Sequence, residues 1–77
     1  MDKQDIYEQL GMCNGGAGLV ALLQETEQAY AAGDIDQAEF EYMIQEIRDV
    51  KAAEELAGDE VAVRYAFQAC NLLLGLV

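Results

Sequence analysis

The stretch that decides the fold is "AAGDIDQAEFEYMIQEI", residues 31–47. Gly33 fits the left-handed backbone position that closes a helix. Asp36 is placed as the N-cap of a following helix, and Glu39, three residues later, completes an aspartate version of the capping box. The stretch therefore predicts a tight turn between two helices.

Apolar residues on either side of this cap support the same interpretation. Ile35 precedes the cap and Phe40 is the fourth helical residue, which is the spacing of a hydrophobic staple. With its glycine, its isoleucine and the acidic-aromatic pair of Glu39 and Phe40, the turn is similar to that of the short helical hairpins called SHOCT domains. The resemblance covers only the turn and its flanks, so it implies a hairpin and no activity.

The same residues begin like a calcium loop, because Asp34 and Asp36 stand one residue apart. An EF-hand loop needs oxygen ligands at positions 1, 3 and 5, glycine at position 6 and glutamate at position 12. Counted from Asp34, those last three positions hold Ala38, Glu39 and Gln45. We therefore expect no calcium site, and no other metal or cofactor.

Helical spacing of apolar residues continues along the chain, which contains no proline and few β-branched residues. It predicts four helices, near residues 2–10, 17–32, 37–57 and 60–74. We expect an all-α fold, a small compact bundle of three to four helices with antiparallel neighbours, and a single acidic domain over residues 1–77.

The predicted inward faces follow from the same spacing. They comprise Leu19, Leu22, Leu23, Thr26, Ala29 and Tyr30, then Phe40, Met43, Ile44, Ile47 and Val50, and on the last helix a row of Val61, Tyr65, Gln68 and Leu72 broadened by Ala66, Ala69, Cys70 and Leu73. The last helix is apolar on most sides, which predicts a central element or half of a dimer interface.

The glycine-rich stretch "GMCNGGAG", residues 11–18, precedes a predicted helix as phosphate-binding loops do. A Walker loop needs Gly-Lys-Ser/Thr, whereas this chain has Gly18-Leu19-Val20. We interpret the stretch as a hinge, or as a place where two backbones approach closely.

Missing residue types argue against catalysis. The chain has no histidine and no serine, so Cys13 lacks the usual base. Length, acidity and helices are similar to those of acyl carrier proteins, but those carry their prosthetic group on a serine. Cys13 and Cys70, with no signal peptide, indicate free thiols in the cytoplasm, although one bridge between them is an open alternative. No stretch is long enough to span a membrane.

Charge gives the strongest functional indication. Fifteen acids stand against four basic residues, a net charge of −11, and ten of these acids lie between Asp34 and Glu60 with only Arg48 and Lys51 to offset them. Nucleic acids and anionic membranes would be repelled. The expected partner is a basic protein surface, such as that of a nucleic-acid-binding protein, while a plain solvated helix face is the alternative.

We therefore predict a non-catalytic inhibitor of the DNA-mimic or anti-CRISPR-like kind found in phages and mobile elements. The predicted partner-binding residues are Asp34, Asp36, Glu39, Glu41, Glu46 and Asp49. The alternative is a small assembly or chaperone-like subunit, monomer or homodimer, that binds through its apolar C-terminal helix. That surface would comprise Leu72, Leu73, Leu74, Leu76 and Val77.

Overall fold

Helices account for most of the structure, a computed structural model that describes residues 2–75. The elements are α1 (Lys3–Gly11), α2 (Gly16–Ala31), α3 (Gln37–Glu46), a π-helical segment (Ile47–Lys51), α4 (Ala52–Glu55) and α5 (Glu60–Leu73). The third, fourth and fifth of these run on without a break, so four helices form the bundle. No strand occurs within the described range, and the all-α prediction is confirmed.

The predicted turn is confirmed in detail. The Glu39 amide donates to the Asp36 carboxylate at 2.8 Å, and the Asp36 amide donates to the Glu39 carboxylate at 3.5 Å. Gly33 has a φ of +80°, as expected for the residue that closes α2. Ile35 is half-buried against the core and Phe40 is buried. This turn joins α2 and α3, which pack against each other.

The predicted inward face of helix α5 is confirmed at Ala66, Ala69 and Cys70. Its buried residues are Ala62, Ala66, Ala69 and Cys70. The predicted row was wrong at Val61, which is 58% exposed, and at Gln68, which is exposed. Small side chains let a helix approach its neighbours closely, and α5 packs against α1, α3, α4 and the π segment.

The π segment was not predicted from the sequence. The Ala52 amide donates to the Ile47 carbonyl, five residues back, so this turn is one residue wider than an α-helical turn. Ala52 is buried as a result, whereas Val50, predicted to face inward, is 44% exposed. Met43 and Tyr30 also lie further out than predicted, although Tyr30 stacks on Phe40 with ring centroids 4.6 Å apart.

The glycine-rich stretch is a close approach of backbones. A Cβ built on Gly16 would lie 1.8 Å from the Leu10 carbonyl oxygen. Gly15 has a φ of +84°, and a Cβ there would lie 2.5 Å from the Glu55 carbonyl oxygen. Only glycine fits these two positions, which hold α1, α2 and α4 together.

Polar contacts tie α1 to α2. Lys3 Nζ lies 2.7 Å from Glu27 Oε2, and the Tyr7 hydroxyl donates to the other oxygen of the same carboxylate. Burial and this hydrogen bond raise the pKa of Tyr7 well above its usual value. Both thiols are free, and burial raises the pKa of Cys70 to about 12.

Candidate functional site

The six predicted partner-binding acids lie along one segment of the bundle, from the turn through α3 into the π segment, and we call this segment the acidic edge. Asp36 and Asp49, near the two ends of this edge, are separated by roughly 20 Å along the helix axis. Five of the six are exposed and Glu41 is half-buried. Glu41 is about 140° around the helix from Glu46. The acids are therefore spread both along and around this segment and do not form one cluster.

Three of the six carboxylates already have partners within the fold. Asp36 and Glu39 accept the capping hydrogen bonds. Asp49 lies 2.9 Å from Arg48 Nε, and this contact holds the pKa of Asp49 below its usual value. The other side of the Arg48 guanidinium donates to Asn71 Oδ1 at 2.9 Å, which ties the π segment to α5.

The remaining three carboxylates, Asp34, Glu41 and Glu46, make no side-chain hydrogen bond or ion pair with any other residue in the described range. Across residues 2–75 only two ion pairs form, Lys3–Glu27 and Arg48–Asp49. None of the fifteen acidic side chains is buried. Most of the negative charge of this protein is therefore directed to solvent and is not compensated internally.

An aromatic residue that was not predicted from the sequence lies among these acids. Tyr42 is 67% exposed on the outer face of α3. With Gln45, Glu46, Asp49 and Val50 it outlines an open depression of about 230 Å³, which we call the Tyr42 recess. The spacing of Tyr42 and Glu46, four residues apart, was visible in the sequence. The outward position of Val50 was not, because it depends on the π segment.

A second depression lies on the other side of Glu46, between α2 and α3. It has a volume of about 170 Å³ and is lined by Leu22, Thr26, Met43, Glu46, Ile47 and Lys51. Its floor is mostly apolar, and Glu46 and Lys51 bring one charge of each sign to its rim. Glu46 thus borders two depressions.

The predicted apolar surface at the end of the chain is only partly described. Leu72, Leu73 and Leu74 are half-buried and pack against the core. Leu76 and Val77 lie outside the described residues. Larger exposure on α5 occurs at Val61 and at Phe67, which is 40% exposed.

No three side chains of histidine, cysteine, aspartate or glutamate within residues 2–75 are arranged to hold a metal ion. None of the helices in that range has the length and apolar character needed to cross a bilayer. The sequence matches no protein-family model, and comparisons with curated proteins and with solved structures returned no match.

Proposed function

We propose that this protein is a non-catalytic binding module whose acidic edge docks on a basic surface of a larger nucleic-acid-binding protein or complex. The observation that carries the proposal is the uncompensated charge between Asp34 and Glu60. Ten acids lie in that stretch, and a single ion pair, Arg48–Asp49, forms within it.

Self-repulsion among so many like charges destabilises a small fold. Asp36, Glu39, Asp49 and Asp59 have structural roles as caps or as the partner of Arg48, which accounts for their presence. The fold gains nothing visible from the other acids of the stretch. A partner rich in lysine and arginine would recover this cost by neutralising them.

The spacing of Glu46 and Asp49, which stand one turn apart, supports a nucleic-acid-binding surface as the class of partner. Outward carboxylates on neighbouring turns of a helix stand roughly 5–6 Å apart, and phosphates along a DNA strand are spaced comparably. An acidic helix of this kind can occupy a groove whose lysines and arginines normally hold phosphates. Inhibitors of the DNA-mimic or anti-CRISPR kind act in this way, and we place this protein in that class.

The test is a matched pair of variants that change the net charge equally. The first, D34N/E41Q/E46Q, neutralises the three acids of the edge that have no internal partner. The control, D5N/E8Q/E25Q, neutralises three exposed acids on α1 and α2. The binding partner is first isolated by affinity capture with the unmodified protein, and its affinity for each variant is then measured at low and high salt.

We expect the edge variant to lose about ten-fold in affinity, since exposed ion pairs contribute about 0.2–1 kcal/mol each and three are removed. The control should lose much less, and the affinity of the unmodified protein should fall as salt rises. Equal losses in the two variants, or an affinity insensitive to salt, would contradict docking through this edge.

An assembly or chaperone-like subunit is the second candidate, and the exposed apolar residues of α5 favour it. Val61 and Phe67 are both well exposed on a helix whose described residues after Glu60 carry no acid. Light scattering distinguishes the two functions. A dimer that persists at high salt and dissociates in V61D/F67D would support the second, whereas a monomer favours the first.

A further inference from the structure

The Tyr42 recess has the features of a side-chain binding site and deepens the proposed function, on which this inference rests. We propose that the recess takes the guanidinium group of an arginine side chain of the basic partner. The arginine stacks on the ring of Tyr42 and donates to the carboxylate of Glu46.

The ring of Tyr42 is available for stacking. It is 67% exposed. Tyr30, on the neighbouring helix, is different, because its ring is already stacked on Phe40 at an interplanar angle of 21°. An exposed aromatic ring on an otherwise polar helix face is a typical anchor of a protein interface.

Glu46 supplies the charge. It lies one turn after Tyr42 on the same face of the helix, where side chains four residues apart are neighbours. Its carboxylate makes no hydrogen bond or ion pair with any residue from 2 to 75. Asp49 adds a second carboxylate to the rim, but Arg48 already holds that one at 2.9 Å.

The protein's own cations do not occupy the recess. The guanidinium of Arg48 is engaged by Asp49 and by Asn71. Lys51 lines the other depression beside Glu46 and forms no ion pair within the described residues. Val50, turned outward by the π segment, adds an apolar wall against which an aliphatic stem can lie.

Arginine fits this combination better than lysine. A guanidinium is planar and weakly hydrated, so it stacks on a ring while its N–H groups point outward to a carboxylate. The amide oxygen of Gln45 is a further acceptor on the same rim. An ammonium group keeps its hydration shell and gains less from the ring, so the recess should prefer arginine to lysine. A surface that acts through charge alone would treat the two residues alike.

The experiment compares an arginine homopeptide with a lysine homopeptide of equal length, each titrated into the isotopically labelled protein at low salt and followed by NMR. We expect the arginine peptide to bind about five-fold or more tightly. Its largest amide shift changes should fall on Tyr42, Gln45, Glu46 and Val50. Y42A should abolish the preference for arginine, and Y42F, which keeps the ring, should retain it.

E46Q is compared with E54Q, which removes the same charge from an exposed position in α4, away from the recess. E46Q should weaken binding of the arginine peptide by about three-fold or more, and E54Q should change it much less. The same NMR spectra show whether each variant is folded, so a loss of structure is distinguished from the loss of a contact with the peptide.

Equal affinities for the two peptides, or shift changes spread over residues 34–60, would overturn the arginine site and leave docking by charge intact. Affinity for the captured partner that is the same in D34N/E41Q/E46Q and in its control would instead overturn the proposed function. An arginine preference that survives Y42A would also contradict the inference, because the ring would then contribute nothing.

Discussion

Two glycines at the start of α2 differ in the space around them, so adding a methyl group should have opposite effects on stability at the two positions. A Cβ on Gly16 would lie 1.8 Å from the Leu10 carbonyl oxygen, whereas a Cβ on Gly18 would meet nothing within 4 Å. The first position closes the contact between α1 and α2. The second is an ordinary exposed helical site, and its glycine only costs backbone entropy.

We expect G16A to lower the free energy of unfolding by about 3 kcal/mol or more, because backbone and not a flexible side chain must move. G18A should raise it by about 0.5–1 kcal/mol through helix propensity. Urea denaturation of both variants, followed by circular dichroism, checks the pair. Tolerance of alanine at Gly16 would contradict the close approach of the two backbones.

The neighbouring acids Asp34 and Asp36 form a second contrast at the scale of residues. Both are exposed, yet only the carboxylate of Asp36 accepts a backbone hydrogen bond. D36A should cost about 1 kcal/mol of stability, the usual value of a helix N-cap. D34A removes the same charge and should leave stability unchanged or slightly higher. The same denaturation measurement applies, and equal effects would show that charge and not capping matters here.

Among the helical elements, the π segment is the one with a consequence for both the core and the proposed site. It lets Ile47 and Ala52 both face inward, although they are five residues apart. The π turn contains one residue more than an α-helical turn, and Val50 consequently faces outward at the edge of the Tyr42 recess. π-helical turns of this kind occur frequently at functional sites.

Deleting Val50 should convert the π segment into ordinary α-helix, because Ile47 and Ala52 would then be four residues apart instead of five. We expect stability within about 1 kcal/mol of the unmodified protein. Deleting Gln45 instead should displace Ile47 from the core and cost about 2–5 kcal/mol. Thermal unfolding of the two deletions provides the comparison, and a Val50 deletion as damaging as the Gln45 deletion would contradict the idea of a removable residue.

The parts that were predictable from the sequence are those fixed by local chemistry. The Asp36 cap, the turn at Gly33 and the end of α4 before Gly58 depend on neighbouring residues alone. The π segment was not predictable, because it reconciles two stretches of core contacts that only tertiary packing brings together. On α5, Ala66, Ala69 and Cys70 were predicted correctly, but Val61 and Gln68 were not. The apolar residues of α5 cover most sides, so periodicity alone does not show that the closely packed alanines define the buried face.

The candidate site was also predictable from the sequence only in part. The six acids were visible as charges, but their separate uses became clear only from their partners, such as Arg48 for Asp49. Tyr42 was not predicted because it stands between Glu41 and Met43, and the sequence alone does not show whether such a tyrosine is exposed or partly buried. Its exposure depends on α3 having no neighbour on that side.

At the scale of the whole molecule, a net charge of −11, with two ion pairs among residues 2–75, makes stability depend on ionic strength. Raising sodium chloride from 0.01 M to 0.5 M shortens the screening length from about 30 Å to about 4 Å. We expect a gain on the order of 1 kcal/mol, or roughly 5 °C in the midpoint of thermal unfolding. In D34N/E41Q/E46Q the gain should be smaller. A midpoint independent of salt would show that the charges do not repel one another appreciably.

The two thiols lie in very different places, and this gives the protein a built-in pair of chemical probes. Cys13 is half-buried in the connection between α1 and α2, while Cys70, in the last turn of α5, has no exposed surface. A thiol-reactive reagent reaches Cys13 through small local fluctuations, but it reaches the fully buried Cys70 only when at least the last turn of α5 leaves the core. The ratio of the two modification rates therefore reports the opening of the bundle in a crude extract or in a living cell. Docking of a partner that stabilises the bundle would be read as protection of Cys70, without an added fluorophore or a purified complex.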